Sequence, residues 1–277
     1  MRDYDPNWIR RYFDECGMKE WGRWDASPVE RVKWFLHLHY LREHVVPGDR
    51  VLEVGAGAGR FTQELARITS PIVVSDISPG QLELNRSNAR RLGYASEIEE
   101  WVECDMCALE EVLPEHAFDA TVCYGGPLSY VFDRRDAALE QLIRVTRPGG
   151  KLLLSVMSLW GGVHQYLDGV LQTSLEANRE VIATGDLAPD VVGSGHHYCH
   201  MFRAEELRHF LEVHGLEVLV ISASNSLSTH HADFLGEVDE CSPQWDLLME
   251  MEAEASRSAG ACNMGSHIIA VCKTSRA

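Results

Sequence analysis

The sequence predicts an α/β fold with a doubly wound, mostly parallel sheet. One observation is the pattern RVLEVGAGAGRF over residues 50–61, in which a short apolar strand, a glycine turn and a helix follow one another. The other is the alternation of short apolar runs with helical patterns, which continues to Met157. Such alternation is typical of parallel strands that are covered by helices on both faces.

The first predicted strand ends in a glycine-rich turn. Its residues 51–54 (VLEV) form the apolar run expected of a buried parallel strand. Gly55, Gly57 and Gly59 follow at alternate positions, and glycine lets a ligand come close to the N–H groups at a helix start. A dinucleotide fingerprint, G-x-G-x-x-G, would need glycine where Arg60 stands, so the spacing disfavours NAD.

Acidic residues follow the next two predicted strands. Asp76 ends the second strand, about 20 residues beyond the glycine turn, where a carboxylate can accept hydrogen bonds from both ribose hydroxyls. Asp105 follows the third strand. A fourth and a fifth strand are predicted over residues 118–124 and 151–157.

This ordered series resembles the motifs of the class I S-adenosylmethionine-dependent methyltransferases. It comprises E-x-G-x-G-x-G beginning at Glu53, the two acidic strand ends, and Arg-Pro-Gly-Gly at residues 147–150. The resemblance implies a seven-stranded sheet whose last strand is antiparallel, and S-adenosyl-L-methionine as the cofactor. It also implies that Asp105 accepts from the adenine amino group. The cofactor-binding residues predicted in this way are Glu53, Gly55, Ala56, Gly57, Asp76, Ile77, Asp105, Met106 and Tyr124.

The chain divides into four predicted segments. Residues 1–49 form an N-terminal helical cap, and residues 50–157 form the cofactor-binding, Rossmann-like core. Residues 158–200 form an insertion with a long amphipathic helix, which we interpret as a lid over the substrate because it follows the carboxyl end of a strand. Residues 201–277 complete the core sheet.

Composition limits the classes of partner. The formal charge is −17, from 42 acidic and 25 basic residues, so the chain lacks the basic excess that nucleic-acid binding requires. We find no apolar run of about 18 residues and no signal-peptide core, so we expect no membrane association. The eight scattered cysteines suggest free thiols in a reducing cytoplasm. Cys104 and Cys107 form a lone C-x-x-C, and no metal site is predicted from it.

Three histidines in the insertion are the predicted catalytic residues. His196, His197 and His200 stand close together, and a histidine can take a proton from a hydroxyl or amine as the methyl group moves. The alternatives are a metal site or ordinary loop positions. Trp21 and Tyr130 are predicted to contact the substrate.

These patterns together predict a cytoplasmic enzyme that transfers a methyl group from S-adenosylmethionine to a small-molecule acceptor, secondary metabolites included. O- or N-methylation is favoured, although the motifs leave C and S acceptors open. Two alternatives remain. The chain could bind the cofactor without catalysis, or it could be an NAD(P)-dependent oxidoreductase.

Overall fold

A computed structural model of the chain describes residues 2–188 and 198–275. Within these residues, seven strands form one sheet in the order β3-β2-β1-β4-β5-β9-β8, and β6 pairs with β7 in a separate hairpin. The strands are β1 (Val51–Val54), β2 (Ile72–Asp76), β3 (Ile98–Glu103), β4 (Phe118–Cys123), β5 (Thr146–Met157), β6 (Asp186–Leu187), β7 (Cys199–His200), β8 (Glu217–Ala223) and β9 (His267–Lys273).

The α-helices of the described residues alternate with these strands. They are α1 (Pro6–Cys16), α2 (Lys19–Gly22), α3 (Pro28–His44), α4 (Arg60–Ile68), α5 (Pro79–Leu92), α6 (Arg135–Val145), α7 (Leu159–Gln165), α8 (Leu167–Gln172), α9 (Leu175–Thr184), α10 (Ala204–Val213), α11 (Ala232–Leu235) and α12 (Pro243–Ala255). None of them is both long and apolar enough to cross a bilayer.

The predicted fold class is confirmed. Strands β1 to β5 are mutually parallel, and β9 runs antiparallel between β5 and β8. Helices α3, α4 and α5 pack on one face of the sheet, while α6 and α10 pack on the other. Because both faces are covered, the four residues of β1 are all buried, whereas the edge strand β3 exposes alternate parts of its length.

The N-terminal helices begin where the sequence provides capping residues. Asp5 accepts from the N–H groups of Asn7 and Trp8 at the start of α1. Ser27 accepts from the N–H of Glu30 at the start of α3, and Pro28 occupies the first turn. Helices α1 and α2 and a 3₁₀ turn, Arg23–Asp25, lie over the carboxyl edge of the sheet.

Two predicted elements differ in detail. Strand β5 begins at Thr146, and the Arg-Pro-Gly-Gly segment forms an irregularity within it, since the pairing with β4 shifts between Phe118 and Ala120. The insertion contains three short helices, α7 to α9, where one long helix was predicted. The break follows from the lack of a face to bury, because Leu171 is 72% exposed and Leu175 is 69% exposed.

Candidate active site

A cavity runs along the carboxyl edge of the sheet, across the ends of β3, β2, β1 and β4. Neighbouring strands lie about 4.8 Å apart, so these four ends span about 14 Å. The cavity encloses about 880 Å³, part of it open to solvent. Small-molecule sites typically have volumes of about 300–1,000 Å³. The cavity therefore has the size of a site for one nucleoside-like cofactor and a small second ligand.

Most of the predicted cofactor residues line this cavity. They come from four separate strand ends: Asp105 and Met106 after β3, Asp76 and Ile77 at β2, Gly55, Ala56 and Gly57 after β1, and Tyr124 after β4. The predicted substrate residues Trp21 and Tyr130 line it too. Glu53 is the cofactor-binding prediction that does not. It lies 2% exposed inside β1.

Asp76 is held by the backbone at the end of β2. The N–H of Gly57 donates to Oδ2 and the N–H of Ser78 donates to Oδ1, each at 2.8 Å. Burial raises the pKa of this carboxyl to about 6, although the two backbone hydrogen bonds oppose the shift. An oxygen that already accepts one hydrogen bond keeps lone-pair capacity, so the side chain can also accept from ligand hydroxyls.

The spacing of the glycines has a steric reason at two positions. A Cβ on Gly55, whose φ is +67°, would lie 2.4 Å from Cγ of Pro127 in the loop after β4. A Cβ on Gly59, whose φ is +96°, would lie 2.9 Å from the Asn85 side chain. Glycine thus lets the β1 loop pack directly against the β4 loop on one side and against α5 on the other.

Glu53 supports this loop from below. Thr62 Oγ1 donates to Glu53 Oε2 at 2.6 Å, and Asn85 Nδ2 donates to Thr62 Oγ1 at 2.9 Å. Burial raises the pKa of Glu53 to about 8, despite the hydrogen bond from Thr62. The residue is therefore a buried member of a polar network that fixes the start of α4.

Helix α5 contributes a polar face that the sequence reasoning missed. Gln81, Asn85 and Asn88 are buried at spacings of four and three residues. Asn85 and Asn88 donate to the carbonyls of Gly57 and Ala58 in the glycine loop. The signal was present in the sequence, because three amides on one face of an otherwise polar helix indicate a hydrogen-bonding role toward a neighbouring loop.

The N-terminal cap closes the cavity. Tyr4 Oη donates to Asp105 Oδ2 at 3.0 Å, while the Cys107 N–H donates to Oδ1 of the same carboxyl at 2.8 Å. At the other end, the predicted segment with Trp21 supplies further lining residues that were not predicted. The lining residues from the cap are Tyr4, Ile9, Phe13, Glu20, Trp21, Arg23 and Trp24.

Arg60 fastens this cap to the core. Its Nη2 donates to both carboxylate oxygens of Asp25 at 3.0 Å. Its guanidinium carbon lies 5.3 Å from the ring centre of Trp21 and 5.2 Å from that of Trp34. The residue that breaks the dinucleotide fingerprint therefore has a structural partner in the cap.

The predicted histidines are not brought to the cavity among the described residues. His196 and His197 lie outside these residues. His200 is buried in β7, where its Nδ1 lies 2.7 Å from Asp186 Oδ1 and its Nε2 lies 3.1 Å from Glu206 Oε1. Both ring nitrogens are engaged by carboxylates, which is the geometry of a residue that joins β6, β7 and α10. The described part of the insertion likewise contributes no residue to the cavity lining.

The polar groups present fit S-adenosylmethionine. A carboxylate for the ribose, a second carboxylate for the adenine and an open glycine turn follow one another along the cavity in the order that the linked parts of this molecule require. Residues 2–188 and 198–275 contain no group of three or more His, Cys, Asp or Glu side chains that could hold a metal ion.

Comparison with known proteins gives the family. Residues 51–150 match the family model described as "Methyltransferase domain". The ubiquinone/menaquinone biosynthesis C-methyltransferase UbiE of Pasteurella multocida is 33% identical over 110 residues, which is 39% of this chain and 39% of that protein. The chain thus matches about two fifths of the length of this curated relative.

Solved structures are similar over almost the whole chain. An S-adenosylmethionine-dependent methyltransferase of Methanosarcina mazei has a TM-score of 0.59 at 17% identity, and the match covers 86% of this chain and 98% of that one. The 1,6-didemethyltoxoflavin-N1-methyltransferase of Burkholderia thailandensis, solved with its substrate and S-adenosylhomocysteine, has a TM-score of 0.57 at 14% identity, covering 99% and 92%. At these identities the similarity shows the fold. Through its residues 51–150, the chain belongs to the class I S-adenosylmethionine-dependent methyltransferases.

Proposed function

We propose that this protein transfers a methyl group from S-adenosylmethionine to a small-molecule acceptor in the cytoplasm, on oxygen or nitrogen. The observation that carries the proposal is the cavity across four strand ends, which eight of the nine predicted cofactor residues line. The free thiols of Cys107, Cys123, Cys199 and Cys272, all of them buried, suit a reducing compartment.

The size of the site and the charge of the chain favour a small acceptor. The N-terminal cap covers the cavity, so a polymer would have to displace α1 and α2 to reach it. The formal charge of −17 also disfavours nucleic acid. The relative named a C-methyltransferase matches only about two fifths of each chain, so its acceptor atom carries little weight here.

The cofactor supplies an electrophilic methyl group, and the chain supplies the positions of the reactants. Asp76 would accept from the ribose hydroxyls and Asp105 from the adenine amino group. Gly55, Ala56 and Gly57 would lie against the amino-acid part. Tyr124 and Trp24 would exclude water from the reacting end, since both are almost fully buried. A catalytic base at His196 or His197 stays a prediction.

Calorimetry and a transfer assay test this proposal together. We expect S-adenosylmethionine to bind and NAD to give no heat, and we expect a labelled methyl group to pass to a member of a metabolite panel. Asp76→Ala should weaken cofactor binding by about 2–4 kcal/mol, because two charge-assisted hydrogen bonds are lost. Asp168→Ala is the matched control, since Asp168 is exposed on α8.

Each alternative gives a different result. Binding of NAD without S-adenosylmethionine would contradict the cofactor assignment and indicate an oxidoreductase. Tight binding of S-adenosylmethionine with no transfer to any compound of a broad panel would instead indicate a cofactor-binding protein without catalysis.

A further inference from the structure

The end of the cavity at β4 differs chemically from the rest. The predicted cofactor residues account for the ends of β3, β2 and β1, so the β4 end remains for the acceptor. There Gly125 and Pro127 follow the strand, and the cap faces them with Arg23. A Cβ placed on Gly125 would lie 3.4 Å from Nη2 of Arg23, so the guanidinium lies directly against this loop.

The guanidinium of Arg23 is held in place but keeps donors available. Its Nη1 lies 3.5 Å from Glu20 Oε2, and its central carbon lies 4.4 Å from the ring centre of Trp24. The stacked indole and the carboxylate fix the plane of the group. Within residues 2–188 and 198–275, no hydrogen bond is formed by Nη2, the nitrogen beside Gly125.

Aromatic rings surround this end of the cavity. They belong to both the cap and the core: Phe13, Trp21, Trp24, Phe61, Tyr124 and Tyr130. Trp24 and Phe61 are in edge contact at 5.3 Å, and Phe61 and Tyr124 are in edge contact at 5.2 Å. Flat aromatic walls favour a flat ligand, because stacked or edge-on ring pairs add to the gain from apolar burial.

We propose that Arg23 selects the acceptor by binding an ionised oxygen, a phenolate or a carboxylate, on an aromatic ring that lies between these walls. A guanidinium pairs with an oxyanion through directed N–H donors, and partial burial strengthens the pair. Because Nη1 faces Glu20 and Nη2 faces Gly125, the acceptor can bind Nη2 without displacing Glu20. This inference rests on the proposed function, since it places an acceptor beside the cofactor.

Binding of simple aromatic probes tests the inference. The protein is saturated with S-adenosylhomocysteine and titrated in a calorimeter with 4-nitrophenolate, 4-nitrobenzoate and neutral nitrobenzene. We expect the wild type to bind at least one anion more tightly than nitrobenzene. The anion that binds more tightly distinguishes the phenolate from the carboxylate source.

Two substitutions should act in opposite directions. Arg23→Gln should weaken binding of the preferred anion by about tenfold to a hundredfold, the usual range for a charged hydrogen-bonded pair, and leave nitrobenzene unchanged. Glu20→Gln should tighten anion binding, because it removes a like charge near the site. Arg11→Gln is the matched control, since Arg11 is exposed on α1. Glu20→Gln also keeps the test decisive if Arg23→Gln does not fold.

The inference is overturned if the wild type shows no preference for either anion. It is also overturned if Arg23→Gln and Glu20→Gln both bind the anions as the wild type does. These outcomes are separable from failure of the proposed function, because S-adenosylhomocysteine binding is measured first on every variant. A loss of that binding in the wild type would contradict the proposed function itself.

Discussion

Glu53 is the residue whose environment departs furthest from what its position in a motif suggests. It lies in a central strand, 2% exposed, with Thr62 as its hydrogen-bond partner and a pKa raised to about 8 by burial. A carboxyl with a folded-state pKa above its unfolded value of 4.5 keeps its proton in the folded state at neutral pH. Its contribution to stability is therefore complete below pH 4.5 and is lost as pH rises through about 8.

Glu53→Gln should remove this pH dependence. An amide oxygen can still accept from Thr62, and an amide does not ionise. We expect the unfolding free energy of the variant, relative to the wild type, to increase by a few kcal/mol between pH 5 and pH 9, an order-of-magnitude expectation from the shifted pKa. Urea denaturation across this range measures it, with the exposed Glu140→Gln as control. Parallel curves for Glu53→Gln and the wild type would contradict the buried, protonated carboxyl.

The histidines show at the same scale why residue type alone did not locate the chemistry. His200 fits the chemical description of a base, but its two nitrogens face Asp186 and Glu206. Arg23 carries no motif, yet it lies at the β4 end of the cavity. The difference lies in contacts between residues far apart in sequence, which spacing does not encode.

At the scale of elements, α5 connects the glycine loop to the cap. Gln81 Nε2 donates to the carbonyls of Phe13 at 2.8 Å and Gly17 at 3.1 Å, at the end of α1. On the same face, Asn85 and Asn88 donate to the glycine loop. One helix face therefore sets the positions of the floor and of the cover of the cavity.

Gln81→Leu should loosen the cover without unfolding the core. Two carbonyls at the end of α1 lose their donor, which costs about 1–3 kcal/mol when such groups stay buried. Because Ile9 and Phe13 of α1 line the cavity, we expect S-adenosylhomocysteine to dissociate about tenfold faster in stopped-flow displacement, with a smaller change in melting temperature. Gln63→Leu, at a partly exposed position of α4, is the control. An unchanged dissociation rate would show that the cap closes independently of α5.

At the scale of the whole molecule, the proposed reaction should need no metal. The sulfonium of the cofactor activates the methyl group, so the chain has only to hold two ligands together. We expect activity to survive dialysis against a chelator, measured in the methyl-transfer assay. If one divalent ion restored a lost activity, the metal interpretation of His196 and His197, which lie outside the described residues, would have to be reconsidered.

The sequence by itself determined the fold and the floor of the site. The β1 turn, Asp76 at the end of β2 and the antiparallel β9 follow from local patterns, because burial of a parallel strand and the conformation of a glycine turn depend on neighbouring residues in the chain. The strand order then brings these strand ends to one edge of the sheet, so the cofactor end of the cavity was predictable.

Only the tertiary structure decided what covers the site. The predicted lid was the insertion, but the described lining comes from the N-terminal cap, whose Arg23 and Trp24 lie on a 3₁₀ turn with no recognisable pattern. The cap is held by Arg60 with Asp25 and by Gln81 with Phe13, pairs that are 35 and 68 residues apart. Such long-range pairs are free choices of the fold, and no local periodicity or spacing reports them.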